Sequence, residues 1–138
     1  MMKNLKVSRV FPCLASQLTS LVRVSDDTCT LTIPQGLTAI EPCQGATLQV
    51  KSDREDRLTV YTTTLSFITT RAHAPARNQC YICELTDGTM VVIGNLIAPY
   101  PMSTYEDKHG HPGDRTSKLR EVTAVWKAPM PALEVVLF

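Results

Sequence analysis

Glycine, histidine and aromatic residues are scarce in this chain of 138 residues: there are six glycines, three histidines and one tryptophan, and aromatics make up 6% of the total. Each shortage removes a class of function. The six glycines form neither a G-x-G-x-x-G fingerprint nor a P-loop, so the backbone cradles that hold nucleotide phosphates are missing. No G-x-S-x-G elbow occurs either. His73, His109 and His111 all fall in segments that read as loops, where nothing holds a nucleophile beside an oriented imidazole. The acid pairs Asp26-Asp27 and Asp53-Arg54-Glu55-Asp56-Arg57 lie at turn positions, the second interleaved with arginine, and read as solvated turns. No enzymatic activity, catalytic residue or cofactor is expected.

Charge is balanced as well. A net charge of +1 lacks the basic excess that nucleic-acid-binding domains gather on one face, so no nucleic-acid partner is expected. No window approaches the roughly 18 apolar residues needed to span a bilayer. The start Met1-Met2-Lys3-Asn4-Leu5-Lys6 runs into Val7-Ser8-Arg9-Val10 rather than an apolar stretch. Neither a signal peptide nor a membrane partner is expected, and the cytoplasm is the expected location. The length suits one domain covering 1–138, large enough to fold without disulfide or metal staples.

What is present is a β signal. Thr, Val, Ile and Tyr recur in short runs punctuated by Pro, Gly, Asp and Asn. The predicted strands are Lys6–Val10, Thr28–Ile33, Ala46–Val50, Leu58–Thr70, Cys80–Leu85, Met90–Ile93, Leu119–Lys127 and Leu133–Leu137. Their spacing predicts an all-β, mainly antiparallel domain, either a small sandwich or a barrel. One short helix near 13–22 is an alternative to further strand. Leu14, Leu18, Leu21 and Val22 follow helical spacing, yet Leu21-Val22-Arg23-Val24 would also extend a strand.

The clearest local feature is a hairpin from Cys80 to Gly94 turning at Asp87-Gly88, since glycine accepts the positive φ such turns require. Its arms are apolar on both faces, which predicts a central position. Leu58–Thr70 changes phase, because Leu58 and Val60 share one face while Tyr61, Leu65 and Phe67 share the other. Either a bulge near Thr62-Thr63-Thr64 re-aims the strand, or its halves face different surfaces. A polar connector is predicted over 70–79 and a long flexible loop at about 98–118, the latter a candidate arm for contacts.

Five cysteines, an odd number with irregular spacing, read as reduced and mostly buried thiols. Cys80 and Cys83 have C-x-x-C spacing, but a strand places them on opposite faces, unlike zinc knuckles or redox motifs. Asp107, His109, His111 and Asp114 could meet a metal only adventitiously from a glycine-rich loop, and no metal site is assigned.

Trp126 ends a strand and serves either the core or an interface. The apolar tail from Leu133 to Phe138 predicts a final strand that adds to this sheet or to a neighbour's edge. From about Leu58 onward, the run Tyr61-Thr62-Thr63-Thr64-Leu65-Ser66-Phe67, the hairpin Leu85-Thr86-Asp87-Gly88 with Ile93-Gly94, then Pro99-Tyr100-Pro101 and Val122-Thr123-Ala124-Val125-Trp126 resemble small β-rich proteins of Bacteroides-type prophages and mobile elements. That resemblance implies a structural or assembly role, as in a phage tail or neck, with a virion or tail particle as a second location. The expected function is a non-enzymatic assembly protein whose partners are copies of itself or other particle subunits, meeting them through Tyr100, Tyr105, Trp126, Val136 and Phe138. The alternative is a small-ligand-binding β-barrel, which requires an internal pocket of several hundred cubic ångströms.

Overall fold

A computed structural model of the chain describes residues 2–34, 36–42, 46–55, 57–70, 73, 75–96, 99–108 and 119–136. The fold is all-β. Ten strands follow one another along the chain: β1 (Met2–Leu14), β2 (Val22–Arg23), β3 (Thr28–Thr30), β4 (Ala46–Glu55), β5 (Leu58–Thr70), β6 (Gln79–Leu85), β7 (Met90–Ile93), β8 (Met102–Lys108), β9 (Leu119–Ala128) and β10 (Leu133–Val135). They form one sheet in the order β2-β3-β10-β7-β6-β1-β4-β5-β9-β8. The β10–β3 pair is parallel and the other pairs are antiparallel.

The sheet curls until its two halves face each other. β6 and β8 are five strands apart in this order, about 24 Å across a flat sheet at about 4.8 Å per strand. Yet Tyr81 of β6 and Ser103 of β8 lie within hydrogen-bonding range, Oη to Oγ 3.4 Å. The ring of Phe67 on β5 lies 5.9 Å from that of Tyr81, edge to face. The inner face therefore packs against itself, as in a sandwich or small barrel. Val7, Val10, Leu48, Leu65, Phe67, Tyr81, Cys83, Val122 and Trp126 fill it.

A second core lies on the other face of β6 and β7. Cys80 and Ile82 of β6, Val92 of β7 and Leu133 and Val135 of β10 meet Leu18, Cys29 and Leu31 from the segment that crosses over them. The hairpin is thus central, and Cys80 and Cys83 sit in different cores on opposite faces. Its connection spans three residues, with Leu85 N–H donating to Thr89 O and Gly88 N–H to Leu85 O. Positive φ occurs at Gly88 alone in this turn, which fits a type I turn closed by a left-handed glycine rather than a two-residue primed turn. Cys13, Cys29, Cys80 and Cys83 are buried free thiols, while Cys43 lies outside the described residues.

Three expectations need correction. No α-helix forms over 13–22. Cys13 and Leu14 close β1 against Cys80 and Gln79, and a single 3-10 turn, Ala15–Gln17, follows. Leu18 is buried, but Leu14 and Val22 are exposed, so the four residues share no apolar face. The loop predicted at 98–118 contains β8, whose residues pair in unbroken register with β9. As the last strand in the sheet order it carries Thr, Tyr, Glu, Asp and Lys, and so lacks the apolar alternation by which a strand is recognised. Residues 109–118, with His109, His111 and Asp114, lie outside the described residues. Finally, β5 pairs without a register shift along its length, so no bulge occurs near 62–64. Thr63, Leu65, Phe67 and Thr69 are buried, whereas Leu58 stays 67% exposed. The phase was blurred because Thr63 occupies an inner position, where its hydroxyl finds no hydrogen-bond partner. The bulge lies instead in β1 at Ser8, between the pairs Val7–Leu85 and Arg9–Glu84. The extra residue turns both Val7 and Val10 inward, where strict alternation would separate them.

Gly94 shows how tightly the chain packs beside β6. It has φ +120°, and a Cβ there would collide with Sγ of Cys80, sit 2.9 Å from the Cys80 Cβ and touch Pro101. Gly94→Ala is expected to destabilise the protein by about 2–5 kcal/mol, from overpacking plus a backbone conformation that L-residues avoid. Cys80→Ala in the same chain should restore part of that loss. Denaturant midpoints of the two single variants and the double variant would reveal the coupling; additive losses would show that Cys80 is not the obstacle.

Candidate functional site

Curling gives the sheet two unlike ends. At one, polar side chains bond to one another across the interior. His73 Nε2 lies 3.1 Å from Tyr81 Oη, which in turn approaches Ser103. Arg120 Nε and Nη2 donate to both Asp107 carboxylate oxygens, at 2.7 and 3.3 Å, and Nη1 donates to His73 O at 2.8 Å. Its guanidinium lies 4.0 Å from the centre of the Tyr105 ring. These contacts consume the polar groups in closing this end. Burial first, and then the neighbouring charge of Arg120, hold the His73 pKa below its ordinary value. Burial likewise pushes the Tyr81 hydroxyl up to about 12. Both groups are neutral near pH 7 and bonded mainly to one another, an arrangement that stabilises structure and presents no activated nucleophile.

At the other end a cavity of about 680 Å³ remains. Its walls are Leu5 of β1, Leu48 and Val50 of β4, Leu85 of β6 and Val91 of β7, with Tyr61, Ser52 and Ala132 beside them. Strand alternation explains the placement: Leu48, Val50 and Ser52 are successive inward positions of β4, and Tyr61 faces Ser52 across the ladder. Two short turns flank the mouth. Ser25, Asp26 and Asp27 connect β2 and β3, and Asp87 and Thr89 belong to the β6–β7 connection.

Both turns are fixed by their own bonds. Arg23 donates to the carbonyls of Ser25 and Asp26. Ser25 bonds Thr28 and Asp27 through its hydroxyl, and Glu134 N–H donates to Asp27 O, which docks the turn on β10. Asp87 Oδ1 accepts from Thr89 N–H at 2.9 Å, which holds its carboxyl below the usual carboxylate range. Asp26-Asp27 is therefore an exposed turn, as its sequence indicates, but one placed over a cavity. No local signal marks Leu5, Leu48, Val50, Tyr61 and Leu85 as neighbours, because they come from four strands whose adjacency only the sheet order creates.

The five expected contact residues scatter. Trp126 is 1% exposed in the inner core, with Nε1 donating to Pro99 O at 3.0 Å, so it is not a surface anchor. It occupies an inward position of β9 that the curled sheet covers. Tyr100 packs half-buried against the second core, its hydroxyl directed at Leu96 O. Tyr105 is 53% exposed under Arg120, and Val136 is also exposed, its N–H donating to Cys29 O. Phe138 lies outside the described residues. No group of three or more His, Cys, Asp or Glu residues able to hold a metal occurs among the described residues, and no described helix is long and apolar enough to cross a membrane. No protein family, curated protein or solved structure matches the chain.

The folded-state pKa of His73 lies below the unfolded value of about 6.5, so the unfolded chain binds the proton more readily. The contribution of neutral His73 is complete above about pH 6.5 and is lost as pH falls from there through the lowered folded value. Urea midpoints are expected to drop between pH 7.5 and pH 5, and His73→Phe should flatten that interval. An equal drop in both proteins would assign the acid sensitivity to other groups.

Proposed function

We propose that this chain is a non-catalytic binding module whose open cavity takes a small apolar ligand. The cavity itself carries the reading. Ligand sites are typically clefts of roughly 300–1,000 Å³ with mostly apolar walls and a few fixed polar groups, and the space between β1, β4, β6 and β7 has that size and character. The hydroxyls of Ser52 and Tyr61 and the bonded turns at the mouth supply the polar groups. No described cluster supports chemistry, since the one histidine network is closed on itself.

A second reading, a subunit of a homo-oligomer or particle such as the tail or neck structures of the prophage resemblance, is favoured by a different observation. β8 ends the sheet order, and Met102 on it is 75% exposed beside the exposed Val125 of β9. An end strand that sets one exposed apolar side chain beside another offers a second chain both a backbone edge and an apolar contact.

The first reading is tested with a neutral fluorescent probe, N-phenyl-1-naphthylamine. Saturable binding of one probe per chain is expected, weakened at least about tenfold (roughly 1.4 kcal/mol) by Ser52→Phe, which fills the mouth. Unsaturable binding, or none, would remove this reading. The second is tested by light scattering over a concentration series. A discrete multiple of 15.3 kDa that returns to the monomer in Met102→Glu would support assembly through β8, and a monomer at every concentration would end it.

A further inference from the structure

We infer that Cys13 and Cys80 are a disulfide-forming pair, a redox-sensitive clasp between β1 and β6. The inference is independent of the cavity and of the assembly reading. It starts from register: Cys13 and Cys80 face each other directly in the antiparallel β1–β6 ladder, and both side chains lie in the second core. Leu85 N–H donates to Thr89 O, so the odd-numbered residues of β6 bond toward β7 and the even-numbered ones, Cys80 among them, toward β1. A hydrogen-bonded antiparallel pair has Cα atoms about 5.5 Å apart, inside the span of about 4.4–6.8 Å that a disulfide bridges. The other described cysteines are placed elsewhere. Cys83 lies in the inner core, on the opposite face of β6. Cys29 belongs to β3, which β10 and β7 separate from β6, and its register partners are Arg23 and Val135.

Two features keep the pair as thiols until an oxidant acts. Opposed Cβ atoms in such a ladder lie about 4.5–5.5 Å apart, whereas a disulfide needs about 3.5–4.5 Å. The Cys80 sulfur also leans on Gly94, where the missing Cβ leaves it room, and must rotate toward β1 to bond. Both adjustments fall one pair from the end of the ladder at Leu14–Gln79, where a strand pair opens most readily. Opening also frees the thiols. Burial first, and then the neighbouring Cys80, push the Cys13 thiol up to about 12, and burial pushes Cys80 up to about 11. With the ladder end open, the Cys13 thiolate attacks a small disulfide such as oxidised glutathione, giving a mixed disulfide and one glutathione thiol, which takes up a proton. The Cys80 thiolate then attacks the Cys13 sulfur, forms the Cys13–Cys80 bond and releases the second glutathione thiol. The two cysteines lose two electrons and two protons, and the small disulfide gains them.

The full chain is equilibrated in glutathione buffers of increasing oxidised share, in urea well below the unfolding transition, then alkylated and mapped by peptide mass. One bridge, Cys13–Cys80, is expected to grow with the oxidised share and to reach the same fraction from a reduced or an oxidised start. In fully denaturing urea the same buffers should scatter bridges over all the cysteines. Chains that stay reduced or carry only glutathione, or bridges mainly to Cys29, Cys43 or Cys83, would overturn the inference. An equal preference for Cys13–Cys80 in denaturing urea would overturn it as well, since register would then play no part. Cys80→Ala should abolish the bridge and leave Cys13 with at most a bound glutathione. Should that variant not fold, the maps of the unaltered chain in the two urea concentrations decide alone.

Discussion

The burial of β6 on both faces is the constraint from which the rest of the structure follows. Tyr81 and Cys83 lie in one core while Cys80 and Ile82 lie in the other. A strand without a wet side must be covered twice. β1 and β7 pair along its edges, the curled half of the sheet covers its inner face, and the segment carrying Leu18, Cys29 and Leu31 covers its outer face. Each fully buried apolar side chain contributes on the order of 1.5–3 kcal/mol, so these two coverings dominate the energetics, and the surface ion pairs add little.

Curling has a geometric consequence. A rolled sheet has two ends, and side chains must fill them or leave space. At the β8 end, long polar residues do the filling: Arg120 grips Asp107, Tyr105 and the His73 carbonyl, and His73 reaches Tyr81. At the end formed by Leu5 and Leu85, small residues such as Ser52 and Ala132 leave the cavity open. The difference between a sealed end and an open one is a matter of side-chain length at a few inward positions.

Much of this was legible in the sequence where the signal is local. Asp87-Gly88 between two apolar runs located the hairpin, and its two-faced apolar arms gave its central place. Leu58–Thr70 and Met90–Ile93 match their strands residue for residue. The failures have a shared cause. β8 was hidden because a strand at the end of a sheet can carry polar residues at nearly every position. The phase of β5 was blurred because Thr63 sits inside. Trp126 suggested either core or contact, and its place was settled only by the opposite half of the sheet closing over β9.

The sequence by itself determined the class of the fold, its central hairpin and the absence of recognised catalytic motifs, since composition, alternation and turn chemistry act over a few neighbouring residues. Tertiary structure alone decided the order of the strands, the curl and the cavity. Asp26, the cross-strand pair Ser52 and Tyr61, Asp87 and Glu134 are far apart in the chain, and no short-range pattern brings these groups to one mouth. They meet because the sheet must roll to cover β6, and rolling places the ends of distant strands side by side.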